Sequence, residues 1–186
     1  MLSDDFELTE FSNNNFAIIG RILYITTKYE KTFRTYFSIV VCKWLPYFIK
    51  NVPEFSRIGK IGNSELALKK VYEISNALSF NRVICIFFDT IINRIALSNK
   101  IKEKFINAKN ARNFVAHELC VFDLNEIETT VFRIYLQEKM SKIIRQIIEC
   151  TLIMEYMINK INMEPDLIDF NKKVDKIFFW TITILD

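Results

Sequence analysis

With 186 residues, 51% of them apolar, the chain is long enough to bury one sizeable core and falls within the usual length of a single domain, expected here over 1–186. Three glycines and three prolines are too few for the tight turns that an all-β fold draws on, so composition alone favours helix. A net charge of +3 is too modest to mark the whole chain as a nucleic-acid binder.

The first ten residues carry Asp4, Asp5, Glu7 and Glu10 and no basic residue, the wrong charge for the start of a secretory signal, which points to a cytoplasmic protein. From Phe11 onward Phe16, Ile19, Ile22, Leu23, Tyr29, Phe33, Phe37, Val40, Val41, Trp44 and Phe48 recur every three or four positions. That period predicts a first one-sided helix of about 35 residues, which Pro46 should kink or close early. Asn51-Val52-Pro53 with Gly59 and Gly62 forms the turn-rich stretch that separates it from the next element.

Ser64 suits the N-cap of a second helical region through Leu66, Val71, Ile74 and Leu78, then Val83, Phe87, Ile91 and Ile95. The sequence leaves open whether Ser79-Phe80-Asn81 divides it. Asn99 can cap a third helix from Lys100, with Phe105, Ala108, Ala111, Val115 and Leu119 on a narrow apolar face. Asp123 followed by Glu126 has the spacing of a capping box, and Ile127, Val131, Ile134, Ile143, Ile147, Leu152 and Ile158 continue as a fourth, long helix. Pro165 opens a last segment from Asp166 to about Trp180, after which Thr181 to Leu185 alternates polar and apolar residues and fits an extended strand.

These elements predict an all-α fold, an antiparallel bundle of four to five long helices with the Phe, Ile and Leu stripes inside. Apolar stretches such as Ile39 to Leu45 and Val83 to Phe88 fall well short of the ~20 residues a membrane helix needs, so no membrane partner is expected. Cys42, Cys85, Cys120 and Cys150 are far apart, with no Cys-x-x-Cys pair and one histidine in the whole chain, so they read as buried free thiols. Neither a metal nor another cofactor is called for.

Charge is uneven along the chain. Between Thr90 and His117 stand Arg94, Lys100, Lys102, Lys104, Lys109 and Arg112, six basic residues against the single acid Glu103, and Glu118, Asp123, Glu126 and Glu128 follow. A solvated helix face beside cap-friendly acids accounts for this pattern; so does a local phosphate-attracting surface in which Lys102, Lys104 and Lys109 contact RNA.

The basic stretch ends in Arg112-Asn113-Phe114-Val115-Ala116-His117. His117 is the sole histidine, the side chain suited to carrying protons near neutral pH, although a lone histidine is also a common packing residue. On a helix Asn113 and His117 share a face, while Arg112 stands about 140° from His117 and has the reach to bend toward the same cleft. The chain has no Gly-rich phosphate loop, no Gly-x-Ser-x-Gly and no His-Glu-x-x-His, which removes the sequence anchors for nucleotide hydrolysis, esterase and metalloprotease chemistry. Trp44, Tyr47 and Phe48 lie on a helical stripe and are read as core rather than as a base-stacking surface.

In its Arg112, Asn113 and His117, on a helix of an all-α chain, the sequence resembles the HEPN superfamily, whose ribonucleases carry an Arg, often a following polar residue, and a His a few positions on. The resemblance implies a HEPN-like bundle and a homodimer whose two motif helices line one composite cleft. It implies RNA cleavage without a metal, by attack of a 2′-hydroxyl on the adjacent phosphate. His117 would assist proton transfer, Arg112 would stabilise the developing charge, and Asn113 would orient the histidine or the phosphate. The implied role is that of a toxin or phage-defence endoribonuclease, with a cognate antitoxin protein as a further partner. Leu119 stands where members silenced by tyrosine nucleotidylation carry Tyr, so that form of control is not expected. The alternative is a non-catalytic helical dimer of the same fold, an interaction or regulatory module in which His117 only packs or hydrogen-bonds.

Overall fold

The computed structural model describes residues 15–58, 64–92, 97–119, 129–159 and 167–182. Among them the regular structure is helical throughout. The elements are α1 (Asn15–Lys43), α2 (Leu45–Asn51), a 3-10 turn (Pro53–Ile58), α3 (Ser64–Ala77), α4 (Phe80–Ile86), a π-helical turn (Phe87–Ile91), α5 (Asn99–Glu118), α6 (Thr130–Asn159) and α7 (Leu167–Ile182). They gather into two compact units, one of residues up to Tyr29 and from Lys100 on, the other of Glu30–Asn99.

In the first unit the buried apolar side chains of α1 are Ile18, Ile22, Ile25 and Tyr29, at the predicted spacing of three to four. The helix begins at Asn15, which donates to the carbonyl of Thr129 at 3.2 Å and accepts from Arg133 Nε at 3.2 Å. Thr129 is the cap of α6, its hydroxyl accepting from the Phe132 N–H at 3.1 Å. The anticipated capping residues Asp123 and Glu126 lie outside the described residues. Further along α1 Arg21, only 5% exposed, donates from Nε to the carbonyl of Thr181 at 3.3 Å, in the last turn of α7. A guanidinium there supplies a donor to a helix end whose carbonyls have no intrahelical partner. Helices α6 and α7 pack on each other, and Arg145 of α6 pairs with Asp175 at 2.9 Å and lies 4.7 Å from the Phe178 ring centre.

In the second unit Phe33 of α1 meets Phe80 at 5.6 Å and Phe87 at 5.0 Å, both edge to face, an arrangement that adds to burial the attraction of ring edge for ring face. Arg34 donates to the carbonyl of Ser75 in the last turn of α3, and Ser38 donates to the Ser75 hydroxyl at 3.1 Å. Pro46 acts as foreseen: α1 stops at Lys43, the chain breaks at Trp44, and α2 restarts with the proline in its first turn, where a missing N–H is harmless. The division left open at Ser79-Phe80-Asn81 is real, because Ser79 caps α4 by accepting from the Arg82 N–H at 3.2 Å. Arg82 also hydrogen-bonds Glu54 of the 3-10 turn, which holds that carboxyl below the usual range.

Several expectations are corrected. Leu23, Trp44 and Leu66 are exposed rather than core. On α6 the buried stripe is Phe132, Leu136, Met140, Ile144, Ile147 and Ile148, while Val131 at 77% and Ile134 at 48% exposure face outward. The sequence offers two apolar stripes one residue apart, and a single step rotates the face by about 100°. Thr181 and Ile182 continue α7 as helix instead of starting an extended segment, the Thr181 hydroxyl bonding back to the Ile177 carbonyl at 2.8 Å. Residues 183–185 lie outside the described set. Of the cysteines, Cys150 is buried and Cys42 half-buried, but Cys85 is exposed; Cys120 is not among the described residues. No helix is long and apolar enough, among the described residues, to cross a membrane.

Two substitutions test this packing. Gly20 is an exposed position inside α1 where an added Cβ would meet nothing within 4 Å, so Gly20→Ala is expected to raise stability by about 0.5–1 kcal/mol in urea unfolding. Phe33→Ala removes the ring that joins Phe80 to Phe87 and is expected to lower it by about 3–5 kcal/mol in the same measurement.

Candidate functional site

Helix α5 is positioned by four buried side chains, Phe105, Ala108, Ala111 and Val115, each at most 3% exposed. They were predicted as its apolar face; Leu119, the fifth, is half-buried. Two of the four are alanines, so this packed face is small, and much of the rest of the helix circumference is polar.

The side opposite that stripe carries a ridge. Lys102, Ile106, Lys109, Asn113 and His117 follow each other at steps of four, three, four and four, the spacing of neighbours along one helix face. His117 stands in the last turn, exposed and roughly opposite the centre of the buried stripe. Lys102, Lys109 and Asn113 are half-buried along the same side. Ile106 is 45% exposed, an apolar side chain in a polar row. Sequence reasoning passed over it; the signal was that Ile106 is a large aliphatic residue out of phase with Phe105, Ala108 and Ala111.

Arg112 and Lys104 stand apart from this row. Arg112 projects from the flank of the buried stripe and is half-buried, about 140° from His117 around the axis. Its guanidinium nevertheless turns to its neighbour, Nη1 donating to Asn113 Oδ1 at 3.3 Å. Arg112 and Asn113 are therefore brought together, and His117 shares a face with Asn113 without meeting Arg112 directly. Lys104 falls on the opposite flank from Lys102 and Lys109 and pairs with Glu149 of α6. Beside that pair Cys150 is fully buried, and burial pushes its thiol far above the ordinary range, which makes it a packing residue rather than a nucleophile.

Arg94, Cys120, Asp123, Glu126 and Glu128 lie outside the described residues, as does the side chain of Glu118. No group of three or more His, Cys, Asp or Glu side chains that could hold a metal ion occurs among the described residues. In chemical terms, the surface offers one accessible imidazole, an amide already engaged by a guanidinium, and two lysines on the same side. That set can bind a phosphodiester and move a proton near it.

Comparison of the chain with protein-family models, with curated proteins and with solved structures gives no match in any of the three.

The Lys104 to Glu149 pair is partly open to water, with side chains 38% and 23% exposed. A double-mutant cycle with Lys104→Met and Glu149→Gln is expected to give a coupling below about 1 kcal/mol that shrinks as salt is raised. A larger, salt-insensitive coupling would mean that this end of α5 is anchored by the pair rather than by Phe105.

Proposed function

We propose that this chain is a metal-independent endoribonuclease of HEPN-like architecture, working as a homodimer with one composite cleft. The observation that carries the proposal is an exposed His117 on the basic side of α5, beside an Asn113 whose amide is held by Arg112.

A second copy answers a requirement of the chemistry. Cleaving a phosphodiester through the 2′-hydroxyl takes a base on the attacking oxygen and an acid on the departing 5′-oxygen, and a single imidazole does not serve both ends at once. A twofold pairing of the α5 ridges supplies the second histidine, with Ile106 as the apolar contact between copies. One His117 accepts the 2′-hydroxyl proton, the oxygen attacks phosphorus, and the other His117 donates a proton to the leaving 5′-oxygen. Arg112 neutralises the charge that builds on the non-bridging oxygens, and Asn113 fixes its guanidinium. The products end in a 2′,3′-cyclic phosphate and a 5′-hydroxyl. Lys102 and Lys109 guide the strand; Lys104, paired with Glu149, contributes less than the sequence position suggests. Within this proposal the protein is cytoplasmic, acts as a toxin or in phage defence, and is restrained by a cognate antitoxin.

A second reading is favoured by the half-buried position of Arg112 on the flank of the packed stripe. There the arginine and asparagine serve the fold, and the chain is a non-catalytic interaction module.

Incubation of the purified chain with single- and double-stranded RNA in excess EDTA separates the two. The expected result is cleavage that His117→Ala lowers by about 100-fold or more, with unchanged circular dichroism. Arg112→Ala should lose activity on a similar scale. Absence of cleavage, or equal cleavage by His117→Ala, sinks the ribonuclease and leaves the interaction module.

A further inference from the structure

The last helix carries a second basic surface, distinct in sequence from the ridge of α5. Val174, Ile177, Phe178 and Thr181 are its buried residues and define the side of α7 that is already packed. On the other side Lys172, Lys176 and Phe179 follow one another at steps of four and three, all exposed, with Phe179 at 59%. Lys173, also exposed, and Trp180 lie seven residues apart on one flank of that face. The Trp180 ring meets Tyr24 of α1 edge to face at 6.3 Å, and the Arg21 guanidinium lies 5.9 Å from its centre. Tyr24 is itself 45% exposed. Among the described side chains of α7 the one carboxylate is Asp175, and it is paired with Arg145.

We propose that this face binds single-stranded RNA, the lysines taking backbone phosphates while Phe179 and the Tyr24 to Trp180 corner take unstacked bases. The choice of RNA rests on the ribonuclease reading, which it extends by naming the form of the substrate. Charge complementarity is the first reason: Lys172 and Lys176 on one helix face attract a polyanion, and Asp175, the one carboxylate among the described side chains of α7, is paired with Arg145. The second is that exposed rings interleave with those lysines, which suits bases whose π-faces are free and not those hidden inside a duplex. The contacts with Arg21 and Tyr24 hold Trp180 in one orientation, so little freedom is lost when a base stacks beside it. A lipid surface fits less well. Among the described side chains of α7, the buried ones are spent on the fold, and what faces outward is one phenylalanine and part of a tryptophan among lysines rather than the continuous apolar band of an interfacial helix.

The test uses the full chain carrying His117→Ala, so that RNA is bound and not consumed, and follows anisotropy of a fluorescein-labelled single strand of about 12 nucleotides. Tighter binding of the single strand than of the matching duplex is expected. Phe179→Ala should weaken it about five- to 150-fold. Lys172→Gln with Lys176→Gln should flatten the plot of log Kd against log salt by about 1.4. Equal affinity for duplex, no effect of either change, or Phe179-dependent binding to phosphatidylserine vesicles in place of RNA overturns the proposal. The outcomes separate it from the activity it rests on. A strand that is held by this face yet never cut by the parent chain removes the ribonuclease and leaves the binding surface. A strand cut and bound equally well by the α7 variants removes the surface and leaves the ribonuclease.

Discussion

A helix buried along much of its length takes polar side chains into the core together with its apolar ones, and those groups must find partners there. Helix α1 meets that constraint with two arginines. Arg21 donates to a carbonyl in the last turn of α7, and Arg34 to one in the last turn of α3. The need is mutual, since a guanidinium withdrawn from water requires acceptors and a helix end has carbonyls without intrahelical donors. Burial works against the Arg21 charge and lowers its pKa, so the carbonyl and the Trp180 ring are what make the position tenable. In each unit an arginine thus fixes where along α1 another helix ends, which apolar area alone leaves loose.

Helix α5 is governed by the opposite circumstance, a core face of minimal size. Two alanines, a phenylalanine and a valine are its buried residues, and much of the rest of its surface is polar. That is why lysines, Asn113 and His117 can occupy one outward row without disturbing the fold. The same economy explains the awkward place of Arg112. With a narrow apolar stripe, the residue after Ala111 stands at its edge, half in the core, and reaches the polar row only through its length and its hydrogen bond to Asn113.

Basic residues on α5 and α7 are tolerated for a shared reason. On both helices lysines stand on the side opposite the packed stripe, Lys102 and Lys109 half-buried on α5 and Lys172 and Lys176 exposed on α7. Where a carboxylate comes within reach, as with Glu149 for Lys104 and Asp175 for Arg145, the charge is used in packing between helices.

The all-helical fold was legible in the sequence because helix formation is local: scarce glycine and proline, apolar residues at steps of three and four, Pro46 as a break and Asn99 as a start each act within a few residues. The buried face of α5 was legible for the same reason, since Phe105, Ala108, Ala111 and Val115 form the single apolar stripe available there. So was the sharing of a face by Asn113 and His117, which the helical period dictates. What the period does not determine is which of two adjacent stripes meets a neighbour. Only the tertiary structure chose Phe132 and Leu136 over Val131 and Ile134, exposed Leu23, and gave Lys104 to Glu149. Those outcomes depend on side chains far away in the chain, and a helical repeat read along one segment carries no information about them.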